Sequence, residues 1–278
     1  MNKKFMLLIV CLLTVCGLTG CALLPGLSFG GTATERTEAP MFPETITILQ
    51  TEPETEPETE PETEPETRPE HSELYIPGLS VEDVITYFNE VCLDSEYVDS
   101  GDPTVVQKWA EPVLYTLNGD YTDEDLAAID KMADILNGIE GYPGFYWTDD
   151  PDAANLRINF WSQDELMLEM GEYVQGDLCD GIVHYWYDGN NAIFSEDIGI
   201  RADMDQYLRN SVILEEIYNG TGATQDTMLR PDSIIYQEYS EAQDLTDVDV
   251  LLLRLLYHPS IECGMNAAQC EAAIRALY

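Results

Sequence analysis

The strongest candidates for functional side chains lie in one short stretch, residues 214–222, which reads LEEIYNGTG. If this stretch is helical, Glu215 and Asn219 are four residues apart on one face, so their side chains can converge on one point. Glu216 projects about 100° away from Glu215, so the two glutamates do not form a facing acid–base pair. This spacing favours a carboxylate and an amide that either bind one ligand together or hydrogen-bond to each other.

A buried helix must carry these side chains. Apolar residues recur at helical spacing before residue 219, with Leu214, Ile217 and Tyr218 on one face. Asp203 with Gln206 three residues later predicts the start of the helix. The glycines at 220 and 222 predict its end, because glycine adopts positive φ at low cost.

The surrounding elements predict an α+β domain with a mixed, mostly parallel sheet backed by helices. Alternating apolar residues predict strands at 112–120 and 155–161, and residues 181–200 read as a hairpin around Asp188-Gly189-Asn190-Asn191. Capping residues and helical spacing predict further helices that begin near Ser80, Thr122, Thr246 and Asn266.

This order of elements resembles the metzincin zinc-peptidase fold, whose central helix carries H-E-x-x-H-x-x-G-x-x-H above a methionine turn. The matching frame here begins at Glu215, and Glu216 and Gly222 keep the places of the general base and the glycine. The three zinc positions are occupied by Glu215, Asn219 and Gln225. The turn reads Ser233-Ile234-Ile235-Tyr236, and LTDVDVLLLRLLYHP (245–259) matches the helix that follows it. An E-E-x-x-Q/N-x-x-G helix with these flanks is also similar to an uncharacterised family of exported bacterial domains.

The resemblance implies a peptidase-like scaffold that has lost its zinc, with Glu215 and Asn219 hydrogen-bonded to each other in a polar cleft. Zinc favours imidazole and thiolate ligands, and no pair of histidines occurs at i, i+4 spacing. We therefore expect no zinc cofactor and a non-catalytic binding or structural module at the cell envelope. Two alternatives stay open: calcium or a peptide held in the cleft, and an envelope hydrolase that uses Glu216 as base with an atypical metal.

The N-terminus predicts export and lipid anchoring. Lys3 and Lys4 precede an apolar stretch at residues 5–18, which is shorter than the roughly 20 residues that span a bilayer. Residues 18–21 read LTGC and resemble the lipobox of bacterial lipoproteins, in which the cysteine is acylated and becomes the mature N-terminus. We therefore expect the protein to be located at the extracytoplasmic face of the cell membrane, with residues 1–20 as signal peptide and Cys21 as the lipid site.

Residues 21–71 predict a disordered stalk, and residues 72–278 a single domain. Thr-Glu-Pro-Glu repeats from Thr51 to Glu66, and this segment cannot build a core. The domain holds 41 acidic residues against eight basic ones, a net charge of −33. Such a charge repels nucleic acid and anionic lipid surfaces, so the expected partner is an envelope protein or peptide. A subunit that scaffolds another envelope complex is a further alternative.

Four cysteines remain in the domain after Cys11, Cys16 and Cys21 are assigned to the signal and the anchor. An even number in an exported domain predicts disulfides, and four cysteines allow three pairings. Cys263 and Cys270 flank the helix start at Asn266, which predicts that they pair and leaves Cys92 with Cys179. The absence of C-x-x-C spacing argues against a metal site.

Overall fold

The computed structural model describes residues 9–11, 74–93, 104–173, 178–238 and 240–278. The predicted stalk, Cys21 and all but three residues of the predicted signal peptide lie outside these ranges. Within the described residues, no helix is long and apolar enough to cross a bilayer.

The described residues form seven strands and six α-helices. The strands are β1 (Ile9–Cys11), β2 (Lys108–Trp109), β3 (Val113–Gly119), β4 (Phe145–Trp147), β5 (Leu156–Trp161), β6 (Gly181–Tyr187) and β7 (Ala192–Arg201). The helices are α1 (Val81–Leu93), α2 (Asp123–Asn137), α3 (Gln163–Met170), α4 (Gln206–Asn219), α5 (Asp247–Leu256) and α6 (Ala267–Leu277), and a 3₁₀ turn, Gly171–Tyr173, follows α3.

The strands form one mixed sheet in the order β1-β6-β7-β5-β3-β4, with β2 paired to β7 beside this path. The pairs β2–β7, β3–β4, β3–β5 and β5–β7 are parallel, whereas β6 is antiparallel to both β7 and β1. The predicted mixed, mostly parallel sheet and the hairpin at 181–200 are therefore confirmed. The strand β1 belongs to the segment predicted to be removed as a signal peptide.

Capping boxes start three of the predicted helices. The side chains of Thr122, Thr246 and Asn266 each accept a hydrogen bond from the backbone N–H three residues later, and the residue there returns the bond. Each box satisfies two backbone donors that the first helical turn leaves without partners. These three helix starts lie where the sequence predicts them.

The start of α4 differs from its prediction. Asp205, not Asp203, is its N-cap, and the Asp205 side chain accepts from the backbone N–H groups of Tyr207 and Leu208. Asp203 pairs with Arg201 instead, at 3.0 Å. The Asp203–Gln206 spacing imitates a capping box. The N-cap is instead Asp205, which directly precedes the helix and whose carboxylate reaches the N–H groups of its first turn.

A buried ion pair joins α4 to α2. Arg209 donates from Nε to Asp125 Oδ1 at 2.9 Å, and both side chains are almost inaccessible. The Arg209 guanidinium also donates to the Ala202 carbonyl and to Gln206, while Gln206 Nε2 donates to Asp125 at 2.7 Å. Since Asp125 is also the third residue of α2 in its capping box, one carboxylate fixes both the start of α2 and the position of α4.

Candidate functional site

Helix α4 lies in the interior of the domain. Between Arg209 and Asn219 every residue except Asn210 is buried, and the buried residues include five polar ones: Arg209, Ser211, Glu215, Glu216 and Asn219. Gly222 follows with φ 102°, and a Cβ there would lie 2.0 Å from the Gln107 carbonyl oxygen, so only glycine fits. Gly220 has φ −63°, which corrects the prediction of positive φ at both glycines.

Three polar side chains form a line along one face of α4, which we call the polar stripe: Ser211, Glu215 and Asn219. They are 1%, 3% and 0% exposed, and each is four residues from the next. Among the residues that the structure describes, Ser211 Oγ, Glu215 Oε1 and both amide atoms of Asn219 have no hydrogen-bond partner. The expected hydrogen bond between Glu215 and Asn219 is therefore wrong. Each unsatisfied buried group costs about 1–3 kcal/mol, so the stripe destabilises the fold that carries it.

Negative charge surrounds the middle of the polar stripe. Burial raises the pKa of the Glu215 carboxyl well above its ordinary value. The charges of Asp226, Glu216 and Asp180, in that order, raise this pKa further. Asp180 is held by Arg201 at 2.6 Å, and both aspartates are less than a tenth exposed. Sequence reasoning missed Asp226, although it directly follows Gln225.

Glu216 keeps the general-base place in the frame but is 1% exposed. A Cβ placed on Gly181, the first residue of β6, would lie 2.5 Å from Glu216 Oε1. The carboxyl group is thus packed between its own helix and the start of β6. A general base must reach the proton that it removes, directly or through one water, and Glu216 has no open surface for such an approach.

Gln225 does not join the polar stripe by a hydrogen bond to Asn219, since neither amide atom of Asn219 has a partner. Its backbone N–H donates to the Val91 carbonyl near the end of α1, and its side chain donates to the Asp226 carbonyl at 3.3 Å. The structure therefore brings Glu215 and Asn219 onto one face and anchors Gln225 through α1.

The donor set does not fit the zinc that the peptidase resemblance would imply. One carboxylate and two amides replace three imidazoles, and zinc prefers nitrogen and sulfur ligands. Among the described residues, no group of three or more His, Cys, Asp and Glu is arranged to hold a metal ion. His184 lies on β6 between Tyr173 and Trp186, with ring centroids 4.2 Å from each, and His258 accepts from the Ser260 N–H.

The turn after α4 is fastened to the start of α5. Ser233 Oγ donates to Asp249 Oδ1 at 2.6 Å, and the Ile234 N–H donates to the same carboxylate. Asp249 is also the capping-box residue of α5, and its backbone carbonyl accepts from the Tyr218 hydroxyl of α4. The two motifs at 233–236 and 245–259 are thus in contact, and the second contacts α4 through the bond between Tyr218 and Asp249.

A second buried carboxylate, Glu196 of β7, lies at the end of α4. Glu196 is 1% exposed, its Oε1 has no hydrogen-bond partner, and a Cβ on Gly220 would lie 1.8 Å from that oxygen. Burial raises its pKa well above the ordinary value, and the nearby indole of Trp109, whose N–H donates to the Gly220 carbonyl at 3.0 Å, offsets only part of this effect. Sequence reasoning missed Glu196, although it shares the period-2 face of Ile198 and Ile200.

Cys92, Cys263 and Cys270 are free thiols in the structure, so neither predicted disulfide is formed. Cys179 packs in a small separate core with Leu166 and Met170, and its thiol donates to the Gly181 carbonyl. Cys92 belongs to the main core, where burial and the neighbouring Cys270 raise the pKa of its thiol. Elimination failed because Cys92 at the end of α1 faces α6 rather than the loop before β6.

The sequence was compared with curated proteins and with known protein families. No curated protein matches the sequence. Residues 81–276 match the family described as Protein of unknown function (DUF2927). The match begins at the first residue of α1 and ends inside α6, so it includes α4 with its polar stripe, the 233–236 turn and α5. The chain therefore belongs to the DUF2927 family.

Proposed function

We propose that this protein is a lipid-anchored component of the cell envelope whose acidic domain binds a ligand at the polar stripe without hydrolysing it. The lipobox at residues 18–21 and the charged start of the sequence support anchoring at the extracytoplasmic face of the membrane. A separate partner at the acidic surface of the domain is an envelope protein or peptide, because the net charge of −33 on the domain opposes nucleic acid and anionic lipid.

The observation that carries the binding role is the Asn219 side chain, which is fully buried and whose two amide atoms lack partners. Buried polar groups in folded proteins are hydrogen-bonded, so exceptions call for an explanation such as a bound group. Glu215 and Ser211 repeat the pattern on the same face. Since the three side chains are at most 3% exposed, only a small ligand that the fold encloses, with its own donors and acceptors, could satisfy them.

The peptidase-like frame supports the proposal that this domain evolved from one that bound zinc. The buried helix, the glycine with positive φ at 222 and the turn at 233–236 fastened to α5 follow the order of the metzincin frame. The side chains that would hold zinc are the ones that differ. The same frame without imidazoles favours binding over hydrolysis.

Metal analysis tests the non-catalytic assignment. We expect the full chain, loaded with zinc and then dialysed, to retain far less than one zinc per chain, because carboxylate and amide groups are weak zinc ligands. Calcium is measured in parallel, since oxygen ligands suit it better. Inductively coupled plasma mass spectrometry gives both stoichiometries.

The rival function, an envelope hydrolase with Glu216 as base and an atypical metal, makes the opposite prediction for the same experiment. One zinc per chain that survives dialysis in the wild type, and is lost in Glu215→Ala but kept in the exposed control Glu140→Ala, would overturn the non-catalytic proposal. The burial of Glu216 against Gly181 argues against this rival.

Lipid anchoring has its own test. In cells fed a radiolabelled fatty acid, we expect the wild-type chain to be labelled and to sediment with membranes. Cys21→Ser should carry no label, because the acylated thiol is absent. The matched control is Cys16→Ser, which changes a cysteine of the apolar stretch and should label like the wild type. A Cys21→Ser chain that is still processed and labelled would contradict the anchor.

A further inference from the structure

A cavity of about 230 Å³ opens between α1, α5 and the loop that holds Leu229 and Arg230. No residue of the polar stripe lines it, so it is distinct from the site on α4. Whole small molecules commonly occupy sites of about 300–1,000 Å³, so this cavity is too small for most of them. Its volume suits one large side chain of a partner protein.

Most of the cavity wall is apolar, and the apolar surface continues beside it. Leu229, which lines the cavity, is 52% exposed, and Met228 before it in the chain is 50% exposed. Behind them lie buried residues of α1 and α5: Val84, Val248, Leu251 and Leu252. Covering such side chains removes apolar surface from water, and a few well-packed anchor side chains commonly dominate protein interfaces.

Two charged side chains line the cavity, and they differ in whether their charge is balanced. Arg230 pairs with Asp232 at 3.0 Å. Asp83 is exposed, and within the part of the chain that the structure describes it has no ion-pair partner. Its carboxylate accepts from the Ser80 hydroxyl at 2.6 Å, and the hydrogen bonds from Ser80 lower the pKa of Asp83. The cavity therefore keeps one unbalanced negative charge at its edge.

We propose that this cavity docks a basic segment of an envelope protein, which inserts one apolar side chain and places a neighbouring lysine or arginine against Asp83. The apolar wall selects the inserted side chain. The carboxylate and the net charge of −33 on the domain select positive charge beside it, and both repel an acidic segment. This docking rests on the proposed envelope partner at the acidic surface and makes no use of the polar stripe.

The probe is a capped peptide, Gly-Lys-Phe-Lys-Gly, whose phenylalanine is the side chain to be inserted. Saturation-transfer difference NMR on the full chain at low salt should give saturable binding. Gly-Lys-Ser-Lys-Gly keeps the charge and should bind at least about tenfold more weakly, because no apolar side chain is buried. Gly-Glu-Phe-Glu-Gly keeps the phenylalanine and should also bind at least about tenfold more weakly, because its charge is reversed.

Variants of the chain locate the binding. Asp83→Asn should weaken binding of the first peptide by about two- to fivefold, the range for an exposed ion pair. The matched control is Glu165→Gln, which should bind like the wild type. Like Asp83, Glu165 is exposed and accepts from the N–H of a serine three residues earlier, but it does not line the cavity. Thr86 lines the cavity and is exposed, so Thr86→Trp should close the mouth and abolish binding while the fold persists.

Four results would each overturn the proposal. They are no saturable binding of the first peptide, equal binding of the phenylalanine and serine peptides, equal binding of the lysine and glutamate peptides, and undiminished binding by both Asp83→Asn and Thr86→Trp in chains whose circular dichroism matches the wild type. Asn219→Leu changes the polar stripe and leaves the cavity intact, so it should bind the first peptide like the wild type. Peptide docking and ligand binding at the polar stripe can therefore fail separately.

Discussion

Arg209→Met is expected to lower the free energy of unfolding by about 3–5 kcal/mol, since it leaves a buried carboxylate without its cation. Asp125 is fully buried, and Arg209 Nε lies 2.9 Å from it. Methionine fills similar space but donates no hydrogen bond. The Ala202 carbonyl and the Gln206 side chain lose their donor as well. Urea denaturation followed by circular dichroism measures the change.

The control for this variant is Arg275→Met, which breaks an exposed pair with Glu82 and should change stability far less. The double variant Asp125→Leu/Arg209→Met should recover part of the loss, because it removes both buried charges together, while the capping box of α2 is lost with Asp125. If Arg209→Met were as mild as Arg275→Met, the ion pair would not hold α4 against α2 as we infer.

The stability of the domain is expected to fall as pH rises above the ordinary glutamate value of 4.5, because of Glu196 and Glu215. The folded state raises the pKa of both carboxyls, chiefly by burial, so it binds more protons than the unfolded state above that pH. The loss of stability that these two carboxyls cause is absent at lower pH, and it grows as pH rises until pH passes their raised pKa. Each carboxyl contributes a slope of at most about 1.4 kcal/mol per pH unit.

The double variant Glu196→Gln/Glu215→Gln isolates this contribution, because glutamine does not titrate. Its stability relative to the wild type should increase steadily from pH 5 to pH 8, measured by urea denaturation at each pH. Glu140→Gln changes an exposed glutamate and serves as the control. A difference between the double variant and the wild type that stayed constant over this range would show that the two carboxyls are not protonated in the fold.

Much of the fold follows from local signals in the sequence. Capping boxes at Thr122, Thr246 and Asn266 act over three residues, and alternation within β3 and β5 is equally local. Helix α3 and strand β4 were missed because their eight and three residues carry too little periodicity. The predicted disulfides were wrong for a different reason. The packing of α1 on α6 belongs to the tertiary structure, and cysteine spacing does not encode it.

The candidate site was predictable only in outline. The i, i+4 spacing correctly places Glu215 and Asn219 on one face, because helix geometry fixes it. Whether they bond to each other depends on what packs around them, which the sequence does not contain. Asp226 approaches α4 from the loop that follows it and Glu196 from the preceding strand β7, so only the assembled fold reveals that these carboxyls surround the helix.

If the polar stripe serves a ligand and not the fold, the variant Asn219→Leu should be more stable than the wild type. Leucine has nearly the shape of asparagine and removes two unsatisfied buried groups. We predict that the free energy of unfolding of the ligand-free chain rises by about 1–3 kcal/mol. Asn159→Leu is the matched control and should lose stability, because Asn159 donates to the Ile198 carbonyl and accepts from Asn118. A loss of stability in Asn219→Leu equal to that of Asn159→Leu would contradict the claim.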